Sequence, residues 1–426
     1  MRILLTGATG FIGRAVADAL EQRGHSIVRV QRGAGRPGQE VVQADYAQVP
    51  SRDWWLPRLA GVDAVVNAVG ILRNQPGQTF QALHCNAPAE LFRACAAAGV
   101  GTVVQVSALG AEEGARSGYH LSKKAADDVL RGLPLRGAIV QPSLVYGPGG
   151  SSAALFNKLA VAPVLPFPQG GRMLVQPVHI DEVVQGIVRL LEAPQPGIET
   201  LAFAGPRPIA LCDYLGELRQ ALGERGRQWI VPVPDALFRA GAAAAGHLPG
   251  SMLDAETADM LLAGNATDEN GLADLLPQPL RAPREFIRPE AREPARRQAV
   301  LDLWLPVLRV ALALMWIWTA IVSFGLYPVQ DSHQLLARVG LHGVLSTLAL
   351  YGAGALDLLL GVLTLAAPSR WRRAVWLAQL ALVGGYTVLI TFFLPEYWLH
   401  PYGPVSKNLP ILAAILLLWA LEPRRA

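Results

Sequence analysis

Short apolar runs alternate with stretches of helical spacing over the first 145 residues. The runs are rich in β-branched residues and lack regular polar alternation, which is typical of strands covered on both faces of a parallel sheet. They predict strands near residues 2–6, 26–31, 40–43, 63–68, 102–107 and 137–142. The stretches between them predict helices near 14–23, 87–98 and 120–131. Because strands and helices alternate, we predict an α/β domain with a doubly wound parallel sheet.

The pattern loosens between about residues 143 and 270, where we expect a smaller substrate lobe attached to the sheet. The segment 277–297 then carries five prolines and six arginines. We interpret it as a linker without packed elements that lies against a membrane surface. The predicted domains are therefore residues 1–275 and 301–426, joined by a linker over 276–300.

Long uncharged apolar stretches dominate the C-terminal part of the chain. They cover residues 310–330, 339–356, 374–395 and 408–421. A bilayer core about 30 Å thick needs roughly 20 apolar residues per helix, which the first and third stretches supply. The second, continued past Asp357 to Ala367, could supply one helix plus a short interfacial helix, and the fourth is short. We predict an all-α domain of four transmembrane helices, because a soluble helical bundle would need polar faces that these stretches lack.

Three groups of arginines predict the orientation in the membrane: 296–297, 370–373 and 424–425. With four spans, all three lie on one side, and the positive-inside rule makes that side cytoplasmic. No signal-peptide pattern precedes the first strand, which agrees with a cytoplasmic N-terminal domain. We therefore expect a multi-pass protein of the cell (inner) membrane.

Composition restricts the possible partners. The net charge is +4, and no long basic run is interleaved with aromatic residues, so nucleic acid is not the expected partner. The three cysteines, Cys85, Cys95 and Cys212, have no metal-ligand spacing and cannot all pair. They fit a reducing compartment, and no metal site is predicted.

A glycine-rich turn follows the first predicted strand. Its sequence runs from Thr6 to Gly13, and a predicted helix follows. Glycine lets the main chain approach a pyrophosphate closely, and the helix N-terminus favours negative charge. We expect the phosphates of a dinucleotide to contact this turn at Gly7, Thr9, Gly10, Phe11, Ile12 and Gly13. The alternative is an ordinary glycine-rich helix cap.

A tyrosine and a lysine four residues apart provide candidate chemistry. Tyr119 and Lys123 share one face of a predicted helix. An ammonium there would lower the pKa of the Tyr119 phenol, so that Tyr119 could act as a general acid near neutral pH. Ser107, at the end of a predicted strand, could bind the substrate carbonyl. A chance pairing of the two residue types is the alternative.

Together these features resemble the short-chain dehydrogenase/reductase superfamily. The closest likeness is to its extended and atypical members, with epimerase-like or complex I accessory subunit-like sequences. Besides the glycine turn and the Tyr119/Lys123 pair, the resemblance rests on Asp45 and on residues 67–70, 85–88, 106–110, 142–148 and 178–183. It implies a Rossmann-type sheet that binds a nicotinamide dinucleotide.

The resemblance also implies roles for individual residues. Asp45 would meet the adenine, Lys123 would hold the nicotinamide ribose, and Asn86 would support a proton-relay helix. Further cofactor contacts are implied at Asn67, Ala68, Val69, Gly70, Pro142, Leu144 and Val145.

Three positions depart from the family pattern. Gln141 stands where the family often has Arg, and the position of the family's serine can equally be read as Ser107 or as Ala108. Arg32 follows the second strand, where an acidic residue would bind a ribose 2′-hydroxyl. An arginine suits a 2′-phosphate, and Arg14 could assist, so NADP(H) is favoured over NAD(H). The alternative is an ordinary surface arginine.

The apolar C-terminal part resembles the DoxX-like family of small four-span membrane domains. The resemblance rests on residues 386–387, 395–398, 401–404 and 407–410. Asp357 is an acidic residue well inside a predicted span, which makes it a functional candidate. A helix-packing role for Asp357 is an equal alternative.

These observations predict a membrane-anchored NAD(P)H-dependent oxidoreductase that acts on a lipophilic carbonyl or alcohol delivered from the bilayer. The alternative is a non-catalytic NADP(H)-binding structural or redox-sensor protein of a membrane complex. A membrane protein partner or a homo-oligomer is compatible with both. Sugar-nucleotide epimerisation is a weaker option, because such substrates are water-soluble and gain nothing from the membrane.

Overall fold

The computed structural model describes residues 1–193, 196–247, 251 and 253–423. The chain divides into two units, Met1–Ala299 and Val300–Ala426. The described strands are β1 (Arg2–Thr6), β2 (Ser26–Gln31), β3 (Glu40–Gln43), β4 (Ala64–Asn67), β5 (Thr102–Val106), β6 (Gly137–Pro142), β7 (Val145–Tyr146), β8 (Val164–Pro168), β9 (Leu174–Val175), β10 (Val178–His179), β11 (Ile198–Phe203), β12 (Ile209–Ala210) and β13 (Trp229–Val233).

The α-helices of the first unit connect these strands, and α11 begins within it. They are α1 (Phe11–Gln22), α2 (Arg52–Trp55), α3 (Ala87–Ala98), α4 (Gly118–Arg131), α5 (Ser151–Val161), α6 (Ile180–Glu192), α7 (Leu211–Ala221), α8 (Asp235–Gly246), α9 (Ala255–Ala263), α10 (Gly271–Leu275) and α11 (Pro289–Ile321). A π-helical turn, Gln81–Asn86, leads into α3.

Seven of the described strands form one parallel sheet in the order β11-β6-β5-β4-β1-β2-β3. The predicted parallel sheet is confirmed, and each of the six predicted strands is present to within one residue at either end. Strand order reverses between β1 and β4. In open α/β sheets of this kind, ligands bind outside the carboxyl ends of the strands at that reversal.

Both faces of the sheet are buried. Ile3 and Leu5 of β1 belong to one apolar cluster, whereas Leu4 between them belongs to another. Because successive strand residues point to opposite faces, this alternation shows that helices cover the sheet on both sides. It explains why the sequence of β1 shows no polar alternation.

The segment 277–297 differs from the predicted linker. Phe286 and Ile287 are buried, and Arg281 forms ion pairs with Asp181 and Glu182. Pro289 is the first residue of α11, so the missing N–H of this proline leaves no helical hydrogen bond unmade. The prediction of a linker without packed elements, which was based on the proline content, is therefore wrong. Much of this segment is packed, and its last part is helical.

The second unit is helical. After α11 it contains α12 (Val329–Arg338), α13 (Gly343–Ala366), α14 (Ser369–Phe393) and α15 (Asn408–Leu421). Within the described residues, three segments are long and apolar enough to cross a membrane: Pro289–Leu326, Gly343–Ala366 and Ser369–Phe393. The second predicted stretch and its continuation form one helix. The predicted fourth span is a helix of 14 residues, about 21 Å long at 1.5 Å per residue, and falls short of spanning length.

Polar side chains lie inside this unit and large apolar ones outside. Trp316 Nε1 donates to Gln379 Oε1 (2.9 Å), and Gln379 Nε2 donates to Thr364 Oγ1 (2.7 Å). Val344 and Phe392 are more than three-quarters exposed. This inside-out pattern fits a lipid environment. Asp357 is buried, and among the described residues its Oδ1 has no hydrogen-bond partner. Arg424 and Arg425, used above for orientation, lie outside the described residues.

Candidate active site

The glycine turn after β1 leaves no room for larger residues. Gly7 has φ +69°, and a Cβ there would lie 2.5 Å from the carbonyl oxygen of Ala68. A Cβ on Gly13 would lie 2.2 Å from the carbonyl oxygen of Gly7. The amide of Gly10 donates to that same oxygen (2.9 Å). The turn therefore brings the ends of β1 and β4 together at the reversal of strand order.

The N-terminus of α1 is open towards this turn. Its N-cap, Gly10, has no side chain to bond the first amides, and the first helical turn carries no acidic residue. The first amides of a helix have no partner within the helix and favour an anion. The turn and the helix thus fit a pyrophosphate, and α1 begins at Phe11, three residues earlier than predicted.

The segment after β4 borders the same turn. Asn67 is fully buried and ties neighbouring strands together: its Oδ1 accepts from the Thr6 hydroxyl (2.5 Å), and its Nδ2 donates to Gln105 (2.6 Å). A Cβ on Gly70 would lie 3.3 Å from Nζ of Lys123. The structure therefore places residues 67–70 between the glycine turn and Lys123.

Lys123 is buried at the carboxyl ends of β4 and β5. Its Nζ donates to the carbonyl oxygens of Val69 and Val106, both at 3.0 Å. Burial lowers the pKa of Lys123 to about 8, and the nearby Asp127 carboxylate opposes this effect. An ammonium has three donors, so one remains for a ligand.

Tyr119 lies on the first turn of α4, one turn before Lys123. Its ring edge contacts Phe80 and His84, with centroid distances of 6.0 and 5.6 Å. Burial raises the pKa of the Tyr119 phenol to about 12. The predicted lowering of this pKa by Lys123 is therefore wrong, because burial dominates and the ammonium is directed at two backbone carbonyls.

Ser107 is bonded to a neighbour rather than pointing freely towards a substrate. Its hydroxyl donates to Asp127 Oδ2 (2.5 Å), and both residues are buried. Asp127 Oδ1 has no hydrogen-bond partner among the described residues. Burial raises the pKa of Asp127 to about 6. Ser107 is therefore linked to Lys123 only through Asp127, whose carboxylate acts electrostatically on the ammonium.

We call Tyr119, Lys123, Ser107, Asp127 and the residues bonded to them the cluster. Asn86 does not belong to this cluster. Its side chain is exposed, and its oxygen accepts from the Gln81 amide (2.8 Å). The buried polar residue of the same π-helical turn is His84. Its Nε2 accepts from the Ile71 amide (2.9 Å), so its Nδ1 carries the hydrogen and donates to Ser122 Oγ (2.9 Å).

His84 is a neutral part of the cluster. Burial and the Lys123 charge lower its pKa to about 2. Ser122 passes the hydrogen-bond chain on by donating to the backbone carbonyl of Tyr119 (2.7 Å). The chain from Ile71 through His84 and Ser122 thus fixes the start of α4, where Tyr119 lies.

Glu256 of α9 contacts the start of α4. Its carboxylate accepts from the backbone amide of Tyr119 (2.9 Å), although the two residues are 137 positions apart. A carboxylate at a helix N-terminus stabilises the helix. Glu256, His84 and Asp127 were not predicted from the sequence. Asp127, one turn after Lys123, could have been found from helical spacing, whereas Glu256 has no local signal.

The remaining predicted contacts lie at or beyond the carboxyl ends of the strands. Arg32 is exposed directly after β2, and the Gln31 amide closes the following loop by donating to two carbonyls. Asp45 caps a short 3₁₀ helix by accepting from the Ala47 amide (3.1 Å). Pro142 ends β6, with Leu144 and Val145 just beyond it. Phe11 approaches the loop at Gly147 and Gly150. Thr9 belongs to the glycine turn.

Each of the two units contains a segment that matches a known protein family. Residues 3–202 match the NAD dependent epimerase/dehydratase family, and residues 313–416 match the DoxX-like family. The first match contains the glycine turn, Tyr119 and Lys123. The second match and the three apolar helices indicate a membrane protein.

Several characterised proteins are similar to the first unit. Ceramide reductase of Caulobacter vibrioides is 29% identical over 249 residues, which cover 56% of this chain and 76% of that protein. The 3-diazoavenalumate denitrifying reductase of a Streptomyces species is 27% identical, over 52% of this chain and 82% of that protein. The NADH-ubiquinone oxidoreductase 40 kDa subunit of Neurospora crassa is 23% identical, over 53% and 61%.

Solved structures share the fold. UDP-glucose 4-epimerase of Thermotoga maritima, solved with UDP-glucose, superposes with a TM-score of 0.50 at 15% identity, over 72% of this chain and 100% of that one. A short-chain dehydrogenase/reductase superfamily protein from Agrobacterium tumefaciens, solved with bound NAD, has a TM-score of 0.50 at 18% identity, over 71% and 99%.

Proposed function

We propose that this chain, whose first domain belongs to the NAD dependent epimerase/dehydratase family and whose second is DoxX-like, is a membrane-anchored NAD(P)H-dependent oxidoreductase. The observation that carries the proposal is the position of Lys123. Its ammonium lies at the carboxyl ends of β4 and β5, between the open glycine turn and Tyr119. We assign cofactor binding to the glycine turn, residues 67–70 and Lys123.

Tyr119 and Lys123 have different roles in the proposed reaction. A nicotinamide dinucleotide bound at the turn supplies the hydride for a carbonyl carbon. Tyr119 gives its proton to the carbonyl oxygen, so the product is an alcohol. Because the pKa of Tyr119 is about 12, its hydroxyl is protonated at neutral pH, and this state suits reduction rather than oxidation. Lys123 uses its remaining donor to hold a ribose hydroxyl.

We further propose NADP(H) as the preferred cofactor. Arg32 follows β2, the strand end that faces the adenosine ribose in dinucleotide-binding sheets. Its exposed guanidinium can bind a 2′-phosphate through two parallel hydrogen bonds. Arg14, on the first turn of α1, adds a second positive charge at the phosphate side.

The substrate we propose is a lipophilic carbonyl compound. The apolar helices supply a bilayer anchor, and one relative is a reductase named for ceramide, a lipid. We place the protein in the cell membrane. The arginines at 296–297 and 370–373 favour the cytoplasmic side for the first unit.

The test is turnover of NADPH by the full chain in phospholipid nanodiscs with isoprenoid, sterol-like and quinone carbonyls. Tyr119→Phe keeps the ring contacts with Phe80 and His84 and removes the hydroxyl. We expect oxidation of NADPH by the wild type and its loss in Tyr119→Phe. Tyr214→Phe, which removes a buried hydroxyl in α7, is the matched control and should keep activity. Equal turnover in Tyr119→Phe would remove Tyr119 from the mechanism.

A second function has its own support. The Ser107 hydroxyl donates to Asp127, and burial raises the pKa of Tyr119. Both observations also fit a protein that holds NADP(H) without turnover, as a structural or redox-sensor part of a membrane complex. Tightly co-purifying NADP(H) that no carbonyl reoxidises would favour this function. Weak, exchangeable binding would favour the enzyme.

A further inference from the structure

The two-stranded ribbon formed by β8 and β13 has one exposed apolar face. The strands pair in parallel, with Trp229 opposite Val164 and Val231 opposite Pro166. All four side chains are exposed, and Trp229 is 63% accessible. Leu237 of α8, the helix beside β8, is also 63% accessible. We call these five residues the ribbon face. Large exposed apolar patches mark binding surfaces rather than ordinary protein surface.

Two arginines lie beside Trp229 of the ribbon face in the sequence. The Arg227 guanidinium lies over the Trp229 ring, 5.5 Å from its centroid. Arg225 is also exposed, whereas Arg172 lines a surface groove of about 630 Å³ with Pro232, which points away from the side of Val231. A nearby acidic residue, Asp235, accepts a hydrogen bond from Gln169. Tryptophan beside arginine is the pairing found where proteins meet the headgroup region of a bilayer.

Contacts within the first unit connect this region to α11. Arg292 Nε of α11 donates to the carbonyl oxygen of Ala221 (3.0 Å), and Arg296 pairs with Glu224 (2.7 Å). Trp229 follows Glu224 by only five residues. The later residues of α11 belong to the first segment of spanning length. The ribbon is therefore held close to the first residues of α11.

We propose that the ribbon face is an interfacial docking surface for a bilayer that contains anionic phospholipid. Trp229, Val231 and Leu237 enter the boundary between headgroups and acyl chains, and the arginines bind lipid phosphates. The proposal rests on the membrane insertion of the second unit and is independent of turnover.

The test places a nitroxide-quenchable fluorophore at Val231→Cys in the full chain, with Cys212 replaced by Ser and the two buried cysteines kept. The protein is reconstituted in equal parts of phosphatidylcholine and phosphatidylglycerol that carry lipid-attached nitroxides. Leu348→Cys, on the exposed surface of α13, reports insertion. Asp53→Cys, an exposed position in α2, reports the background.

We expect quenching at Val231→Cys close to that at Leu348→Cys, and none at Asp53→Cys. Adding Trp229→Glu, or replacing the mixture with pure phosphatidylcholine, should reduce quenching at Val231→Cys to the background. Background quenching at Val231→Cys with strong quenching at Leu348→Cys would overturn the docking surface. Loss of quenching at Leu348→Cys would instead show that membrane insertion has failed. Label–label coupling between two chains in detergent would identify a second copy as the occupant and overturn the lipid assignment.

Discussion

Lys123 and Asp127 lie one helical turn apart on α4, and burial moves the pKa of both side chains towards neutrality. The pKa of Lys123 falls to about 8, and that of Asp127 rises to about 6. Each charge opposes the effect of burial on the other. The carboxylate therefore favours the charged form of the lysine.

Replacing Asp127 with Asn removes this negative charge and keeps an oxygen for the Ser107 hydroxyl. Because Asp127 raises the pKa of Lys123 against burial, the lysine will lose its proton at a lower pH in the variant. In the wild type, NADPH binding should weaken as the pH rises through about 8. In Asp127→Asn, fluorescence titration should show this loss at lower pH. Asp128→Asn, whose exposed side chain pairs with Lys124 and Arg131, should keep the wild-type profile.

Replacing Gly7 with Ala should abolish NADPH binding. The new Cβ would lie 2.5 Å from the Ala68 carbonyl oxygen, in backbone with φ +69°. We expect destabilisation of about 2–4 kcal/mol, seen as a lower melting temperature, since steric overlap adds to backbone strain. Gly24→Ala is the matched control: its φ is +81°, and no atom lies within 4 Å of the new Cβ. It should cost about 1 kcal/mol and leave binding intact. Equal loss of binding in both variants would argue against the close approach as the cause.

Replacing Glu256 with Ala should slow turnover. The variant loses the charged acceptor of the Tyr119 amide, an interaction worth about 1–2 kcal/mol, or roughly 5–30-fold in rate if it positions the phenol in the transition state. Glu256→Gln keeps an acceptor and should recover part of the rate. The control on the same helix is Asp259→Asn, which loses only the exposed pair with Arg239. A rise in KM without a fall in kcat would contradict the positioning role.

Replacing Arg32 with Asp should reverse the cofactor preference. Loss of a charge-assisted pair with the 2′-phosphate costs about 1.5–3 kcal/mol, so the Kd for NADPH should rise about tenfold or more. Binding of NADH should improve, because the new carboxylate can accept from the 2′-hydroxyl. Arg36→Asp, exposed in the same loop, is the control for general charge. Unchanged NADPH affinity in Arg32→Asp would favour NAD(H).

The sheet and the glycine turn could be predicted because their signals are local. Runs such as residues 64–67 and 102–106 are rich in valine and show no regular polar alternation, and all their residues are buried, as expected on both faces of a covered parallel sheet. The steric demand at Gly7 likewise arises within one turn of chain, although the atom it meets belongs to Ala68. These features depend on residue type more than on distant partners.

The polar connections of the site could not be predicted, because they join distant positions. Ser107 directly follows β5, and Asp127 lies on α4. Their side chains meet only because the helix packs against the end of the strand. The carboxylate of Glu256 on α9 accepts from the backbone amide of Tyr119, 137 positions away in the sequence. The pKa of Tyr119 was predicted with the wrong sign, because helical spacing indicates a neighbouring charge but not the burial that outweighs it.

The hydrogen bonds of Gln379 determine how three helices of the second unit are rotated about their own axes. Its amide links Trp316 of α11 to Thr364 of α13 from a position on α14. Successive residues of a helix point about 100° apart around its axis. A shift of one residue in the register of one of these helices would therefore turn its polar side chain away and break the link. Hydrocarbon offers no water to replace the lost partner. One buried glutamine therefore favours a single rotational register of the three helices.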